Sequence, residues 1–345
     1  MDMRKSRITG ADTIPFITSV LGVAAIFIAA SISAAPRYVE TNRLKVFDLD
    51  SKQIAISDGS GFIMDAGFLP PDSMKLYWLQ PSLGKPHLYT YDLASGAQKD
   101  LSGLLPESAL PDALAWAPDG ERFAFIAETH LTVVSVLNGS RLNLDLVNGL
   151  DPRHLHWTDS SHIIGKCDHT ICQYDLDSGK SQVFAWSEPG IGEMDGYSTA
   201  DKRVLWDTFG PDDGSAVFVA NLEGGRVSAA QKIPFPELNG ESSISVSADG
   251  TYAITDTLFG TPSKARGSAG MPLGLFIGNI KSGKWARLEG SKPWGRNFSA
   301  KISSTGDRIA VTVWPDNMTT DDKAHLYIAK LPRALLDYLS EKSPN

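Results

Sequence analysis

Cysteine is nearly absent. The chain of 345 residues has Cys167 and Cys172 and no others. Neither lies beside the N-terminal apolar stretch, which argues against a lipoprotein anchored through a lipobox cysteine. A closed zinc site needs four ligands, and a second pair at suitable spacing is missing. There is no basic excess either. Lys and Arg number 32 against 40 Asp and Glu, a net charge of −8, and no basic stripe reverses it. That balance argues against nucleic acid as a partner. The sequence also lacks a Gly-x-Ser-x-Gly elbow, a His-Glu-x-x-His pair and a phosphate loop of the full Gly-x-x-x-x-Gly-Lys-Ser/Thr form. GIGEMDG at 190–196 misses the dinucleotide spacing. No cofactor is implied. Finally, no single tract gathers the 31 Gly and 20 Pro, which are scattered among turns. That suits an all-β chain with many tight connections better than a helical bundle.

One long apolar run is present. Arg4, Lys5 and Arg7 precede Ile14–Ala35, 22 residues without a charge. As a helix this run spans ~33 Å, about a bilayer core. Positive charge ahead of it predicts a cytoplasmic N-terminus and export of the chain beyond it. Residues 1–35 read as a transmembrane anchor or a cleaved signal peptide. The length favours the anchor, since the apolar core of a signal peptide is usually about 7–15 residues. Pro36 is also a poor residue to follow a cut after Ala35. Either way the rest is expected in the periplasm, anchored at the inner membrane or released. There a disulfide is permitted, and Cys167 and Cys172 face each other if GKCDHTICQY forms a hairpin.

The remainder repeats. Residues 114–145 hold a Pro118-Asp119-Gly120 turn followed by Arg122-Phe123-Ala124-Phe125. Similar turns fall at Asp72, Asp159, Asp201, Asp249 and Thr305, in steps of 47, 40, 42, 48 and 56 residues. A second turn lies between them, at Ser95-Gly96, Asn138-Gly139, Ser178-Gly179, Gly224-Gly225 and Ser282-Gly283. Gly and Asn tolerate the positive φ such hairpin turns need. Each period therefore holds two hairpins, and four strands every 40–50 residues is the signature of a propeller blade. The prediction is an all-β, six-bladed β-propeller over roughly 40–332, with seven blades as the alternative. LKVFDLDSKQIAI, residues 44–56, reads as an outer hairpin that completes the last blade. The tail 333–345 has helical spacing at Leu335, Leu336 and Leu339.

Pro-Asp-Gly, two variable residues, then Phe-Ala-Phe resembles the TolB-like, WD-type propeller repeat of the bacterial cell envelope. Asp175-Leu176-Asp177-Ser178-Gly179-Lys180 resembles its outer hairpin. The resemblance implies an architecture and a compartment, not a reaction. TolB itself carries an α/β domain ahead of its propeller, whereas this sequence has only the apolar segment there.

Candidate chemistry is sparse. His154 and His156 in RHLHW are two apart on an innermost strand and share one side of it. With Asp195 of the next blade they are weak candidates for a metal site or an acid–base pair, against the plainer reading as channel lining. His87, His130, His169 and His325 each precede a third strand and so spread around the rim. The longest insertions, 257–274, 313–325, 185–196 and 289–297, fall on one face, and function concentrates on such loops. Trp186, Phe259, Trp294, Arg296 and Trp314 are residue types enriched at binding hot spots. The reading is a non-enzymatic scaffold that binds an envelope protein or polymer through that face. The alternatives are a channel-sited lyase or hydrolase on a sugar or lactone, and a small-molecule sensor.

Overall fold

RFAFIA, residues Arg122–Ala127, shows how each sheet is built. Phe123, Ala124 and Phe125 are all fully buried, so this strand has no solvent face. Successive side chains point to opposite faces of a sheet. Phe123 and Phe125 therefore enter one core, and Ala124 enters another on the far side. The next strand, HLTVVS at His130–Ser135, divides the same way. Leu131 and Val133 join the core of Ala124, and Val134 joins that of the two phenylalanines. A sheet that is apolar on both faces must be covered on both, and its neighbours in the ring provide the cover.

The computed structural model describes residues 44–54, 63–81, 85–106, 113–127, 129–147, 149–168, 170–185, 194–210, 214–233, 239–258, 273–290, 297–314 and 323–341. They form six sheets. Blade I holds β3 (Asp65–Phe68), β4 (Lys75–Gln80), β5 (His87–Asp92) and β6 (Gln98–Asp100). Blade II holds β7 (Ala115–Trp116), β8 (Arg122–Ala127), β9 (His130–Ser135) and β10 (Arg141–Asp145). Blade III holds β11 (Leu150–Trp157), β12 (His162–Cys167), β13 (Thr170–Asp175) and β14 (Lys180–Val183). Blade IV holds β15 (Met194–Ser198), β16 (Arg203–Gly210) and β17 (Gly214–Glu223), edged by β18 (Arg226–Val227) and β19 (Gln231–Lys232). Blade V holds β20 (Asn239–Val246), β21 (Tyr252–Leu258), β22 (Leu273–Asn279) and β23 (Lys284–Gly290). Blade VI holds β24 (Asn297–Ile302), β25 (Arg308–Trp314) and β26 (His325–Lys330). Within each blade, strands that follow one another in the chain pair antiparallel, except that β19 pairs with β17 and not with β18. Six blades settle the count, and the seven-bladed alternative is set aside.

Residues 44–54 do not form the expected hairpin. β1 (Lys45–Leu49) lies parallel to β23 as a fifth strand of blade V. β2 (Ser51–Ile54) pairs antiparallel with β26 and supplies the fourth strand of blade VI. The reason lies in Leu49 and Ile54. Both are buried, but in different cores, Leu49 between blades V and VI and Ile54 between VI and I. A tight hairpin would have put both on one sheet. The tail forms α1 (Arg333–Ser340), which buries Leu335 and Leu339 against blades V and VI as their spacing predicts.

Six hydrophobic clusters fill the six junctions between blades, including the junction of VI with I. The ring is therefore closed by packing. The turns between first and second strands also touch around the ring. Gly120, at φ 70°, stands where a Cβ would strike the Pro70 carbonyl of blade I, so only glycine fits. Ala248 N–H donates to the Ser304 carbonyl at 3.0 Å, and the Ser304 hydroxyl donates to the Pro71 carbonyl at 2.8 Å across the closing junction. These contacts place the first-to-second turns on one face. The ends of the second and fourth strands then lie on the other.

The aspartates of the turns fold back on their own backbone. Asp72, Asp119, Asp159 and Asp249 each accept the amide N–H two residues on, at 2.7–2.9 Å. Asp92 and Asp175 do the same in the second hairpins. Their carboxylates serve turn geometry.

Candidate functional site

The six innermost strands converge on a central channel. Towards the tight-turn face it widens into a cavity of about 530 Å³. Every blade contributes to its wall: Phe68 from I, Trp116 from II, His156 and Trp157 from III, Tyr197 from IV, Val246 from V and Lys301 from VI. Each residue stands two to four positions ahead of its blade's turn aspartate or, in blade VI, of Thr305. The repeat itself thus sets the ring of wall residues.

The walls combine aromatic and aliphatic side chains with nearly as much polar surface. Asp65 Oδ2 accepts the Tyr77 phenol at 3.0 Å and the Leu114 N–H at 3.1 Å. Burial, the Asp65 charge and the hydrogen bond to it push the Tyr77 phenol well above its ordinary range. Burial and the charge of Asp159 raise Tyr197 to about 12. The Trp157 indole donates to the Ala115 carbonyl at 2.9 Å, tying blade III to blade II. The Arg122 guanidinium lies 5.1 Å over the Trp157 ring.

His154 and His156 do share one side of β11. His154 Nδ1 lies 2.8 Å from the Met194 carbonyl oxygen of blade IV, and His156 Nε2 lies 3.4 Å from the same oxygen. His154 Nε2 is 3.8 Å from Asp151 Oδ2. Burial, with His154 and Lys301 nearby, lowers His156 to about 4 against the pull of the Met194 carbonyl, so its ring is neutral at physiological pH. Asp195 lies on β15, but its side chain is outside the described residues. No group of three His, Cys, Asp or Glu side chains among the described residues is placed to hold a metal ion.

Of the loop-face candidates, Trp186, Phe259, Trp294 and Arg296 lie outside the described residues. Trp314 ends β25. Its indole donates to the Ile63 carbonyl at 2.8 Å, and it packs, half-buried, against the core between blades VI and I. The rim histidines behave as repeat positions. His87 stacks on Tyr89, and His325 Nδ1 bonds the Gln53 amide at 2.9 Å. His130 is 3.7 Å from Asp145, and His169 lies outside the described residues. Cys167 and Cys172 form a disulfide with Cα atoms 5.8 Å apart. They sit diagonally in the β12–β13 hairpin, since Cys167 faces Thr170 and Cys172 faces Gly165.

Asp65, Tyr77, Trp116, Tyr197 and Lys301 carry no motif and do not stand out in the sequence. A signal for some of them exists in the repeat. Aligned on their turn residues, the repeats bring Phe68, Tyr197 and Lys301 to one common position, and Trp116, His156 and Val246 to the next position along.

This architecture is that of a six-bladed β-propeller with an amphipathic channel mouth. No family model and no curated protein matches the sequence. Solved structures do match in fold. TolB from Acinetobacter baumannii aligns with a TM-score of 0.50 at 16% identity, over 75% of this chain and 64% of its own. The chain thus spans less than two thirds of that protein. Regucalcin from Agrobacterium tumefaciens, described as a calcium-binding protein, aligns with a TM-score of 0.52 at 14% identity, over 84% of this chain and 97% of its own. The TolB-like propeller expected from the repeat is the fold observed. Among the described residues no helix is long and apolar enough to cross a membrane, and Ile14–Ala35 lies outside them.

Proposed function

We propose that this protein is a non-catalytic binding scaffold of the bacterial cell envelope, tethered or exported through residues 1–35, which presents its loop-rich face to a protein or polymer partner. One observation carries the reading. The strand ends flanking 186–193, 259–272, 291–296 and 315–322 lie on the same face, opposite the short aspartate-capped turns. A rigid ring that gathers its longest connections on one side suits recognition, with aromatic and Arg anchors inside a polar rim. The disulfide accords with an oxidising compartment.

A catalytic channel is the weaker reading. His154 and His156 each direct a ring nitrogen at the Met194 carbonyl, and His156 has too low a basicity for a general base near neutral pH. The calcium binding named for regucalcin finds no support in the turn aspartates, which cap their own backbone.

The test is a crosslinked pull-down from the membrane fraction with wild type and a Trp294→Ala, Arg296→Ala variant. Trp314 enters only as Trp314→Phe, because its indole also braces blades VI and I. A partner lost from the variant at equal protein yield supports the reading. Equal recovery of that partner refutes the placement of the interface.

A further inference from the structure

The opposite face holds a site the loop reading does not use. We propose that the mouth of the central channel binds a small monocarboxylate with a flat apolar body, its carboxylate on Lys301 and its body among the surrounding aromatic rings. This site is independent of what the loops bind.

The argument starts from size. A cavity of about 530 Å³ falls within the range of small-molecule sites. Its acidic and basic groups from the inner strands, Asp65, His156 and Lys301, are then weighed one at a time. Asp65 is already engaged, with a phenol and a backbone N–H on one oxygen. His156 is neutral at physiological pH. Lys301 remains. Among the described residues no carboxylate pairs with its ammonium, although it stands in a wall it shares with Trp116, Trp157 and Phe68. A half-buried cation in such surroundings has lost part of its hydration without an ion pair in return. An anion that enters regains that loss, and the attraction is stronger here than in water.

The charge count sets the valence. One ammonium balances one negative charge, and Asp65 in the same cavity disfavours a dianion. The walls set the body. Aromatic residues from blades I, II, III and IV are among those lining the cavity, which favours a body with a flat ring. A phosphate dianion is thereby the poorer fit.

The experiment titrates the full-length protein with indole-3-propionate and with its neutral amide by calorimetry at pH 7. A second pair, 4-phenylbutyrate and its amide, controls for the shape of the body. The acids are expected to bind about tenfold or more tightly than the amides, the scale of one charge-assisted contact. Lys301→Met should abolish the preference and Lys301→Arg should keep it. Melting curves check that each variant is folded, and Lys301→Gln replaces the Met variant if that one is not. Equal affinity for acid and amide overturns the proposal. So does absence of binding by all four probes up to about 10 mM, or an unchanged preference in the folded Met or Gln variant.

Discussion

Lowering the pH from 7 to 4 should destabilise the propeller through one imidazole. Burial holds His156 at about 4 instead of its ordinary 6.5. Between those values the unfolded chain takes up a proton that the folded chain refuses. The unfolded state then binds more protons, so stability rises with pH across the window. The contribution is complete above about pH 6.5 and is lost progressively as the pH falls towards 4. A difference of about 2.5 pH units corresponds to roughly 3 kcal/mol. The ring borders a cavity that admits water, so this is a ceiling. The slope cannot exceed about 1.4 kcal/mol per pH unit for one proton. The assay is urea unfolding of wild type and His156→Gln at half-unit steps from pH 4 to 7.5. The wild type should lose up to about 3 kcal/mol more than the variant over this range. Carboxylates do not blur the comparison. Asp175, held low first by the Ser178 hydroxyl and then by backbone N–H groups, loses its contribution only below about pH 4, and does so in both proteins. Parallel curves for the two proteins would refute the assignment.

Three further outcomes are expected. Trp157→Phe should cost about 1–3 kcal/mol more than Trp78→Phe in urea unfolding, because Trp157 loses its bond to the Ala115 carbonyl. The buried Trp78 N–H has no hydrogen-bond partner among the described residues, so equal costs would discount the Trp157 bond. Replacing Cys167 and Cys172 together by alanine should cost about 2 kcal/mol for so short a loop, with the fold retained by circular dichroism. Leu49→Ala and Ile54→Ala should each cost about 2–5 kcal/mol by thermal or urea melting. Val46→Ala, on the exposed side of the same segment, should stay within about 0.5 kcal/mol. Equal effects at buried and exposed positions would contradict the placement of β1 and β2.

Much of the architecture is legible in the chain because the repeat is local chemistry. Pro118-Asp119-Gly120 announces a turn whether or not anything else is known, and Gly120 is required there by its φ and by Pro70. Spacing then gives six blades, and the closed ring sets the seven-bladed alternative aside. The strap at 44–54 reads as a hairpin because its pattern of apolar residues does not say which of two distant sheets each one enters. Leu49 and Ile54 look alike in the sequence, and only the closed ring separates them. The channel mouth is illegible for a related reason. Lys301 and Asp65 are ordinary charged residues until six strands, drawn from the whole length of the chain, are set around one axis. His154 and His156 stand out by spacing, but the group they meet, the carbonyl of Met194, belongs to another blade.

The strap changes what kind of ring this is. Lys45 pairs with Ala286 and Ser51 with Ala329, so the first described strands join partners made almost last. Until those partners arrive, two outer edges stand unpaired, and closure is a late, long-range event of the kind that slows folding. Once closed, the chain overlaps itself. It passes from blade V to VI through the strap, goes once around, and passes from V to VI again. Every junction, the closing one included, is crossed by covalent backbone. A tug on the segment before residue 44 loads the parallel β1–β23 pair first, and reaches the antiparallel β2–β26 pair only through Asp50 beyond it. The overlap is a splice, laid one junction ahead of the closing one: the chain crosses from V to VI twice and from VI to I once.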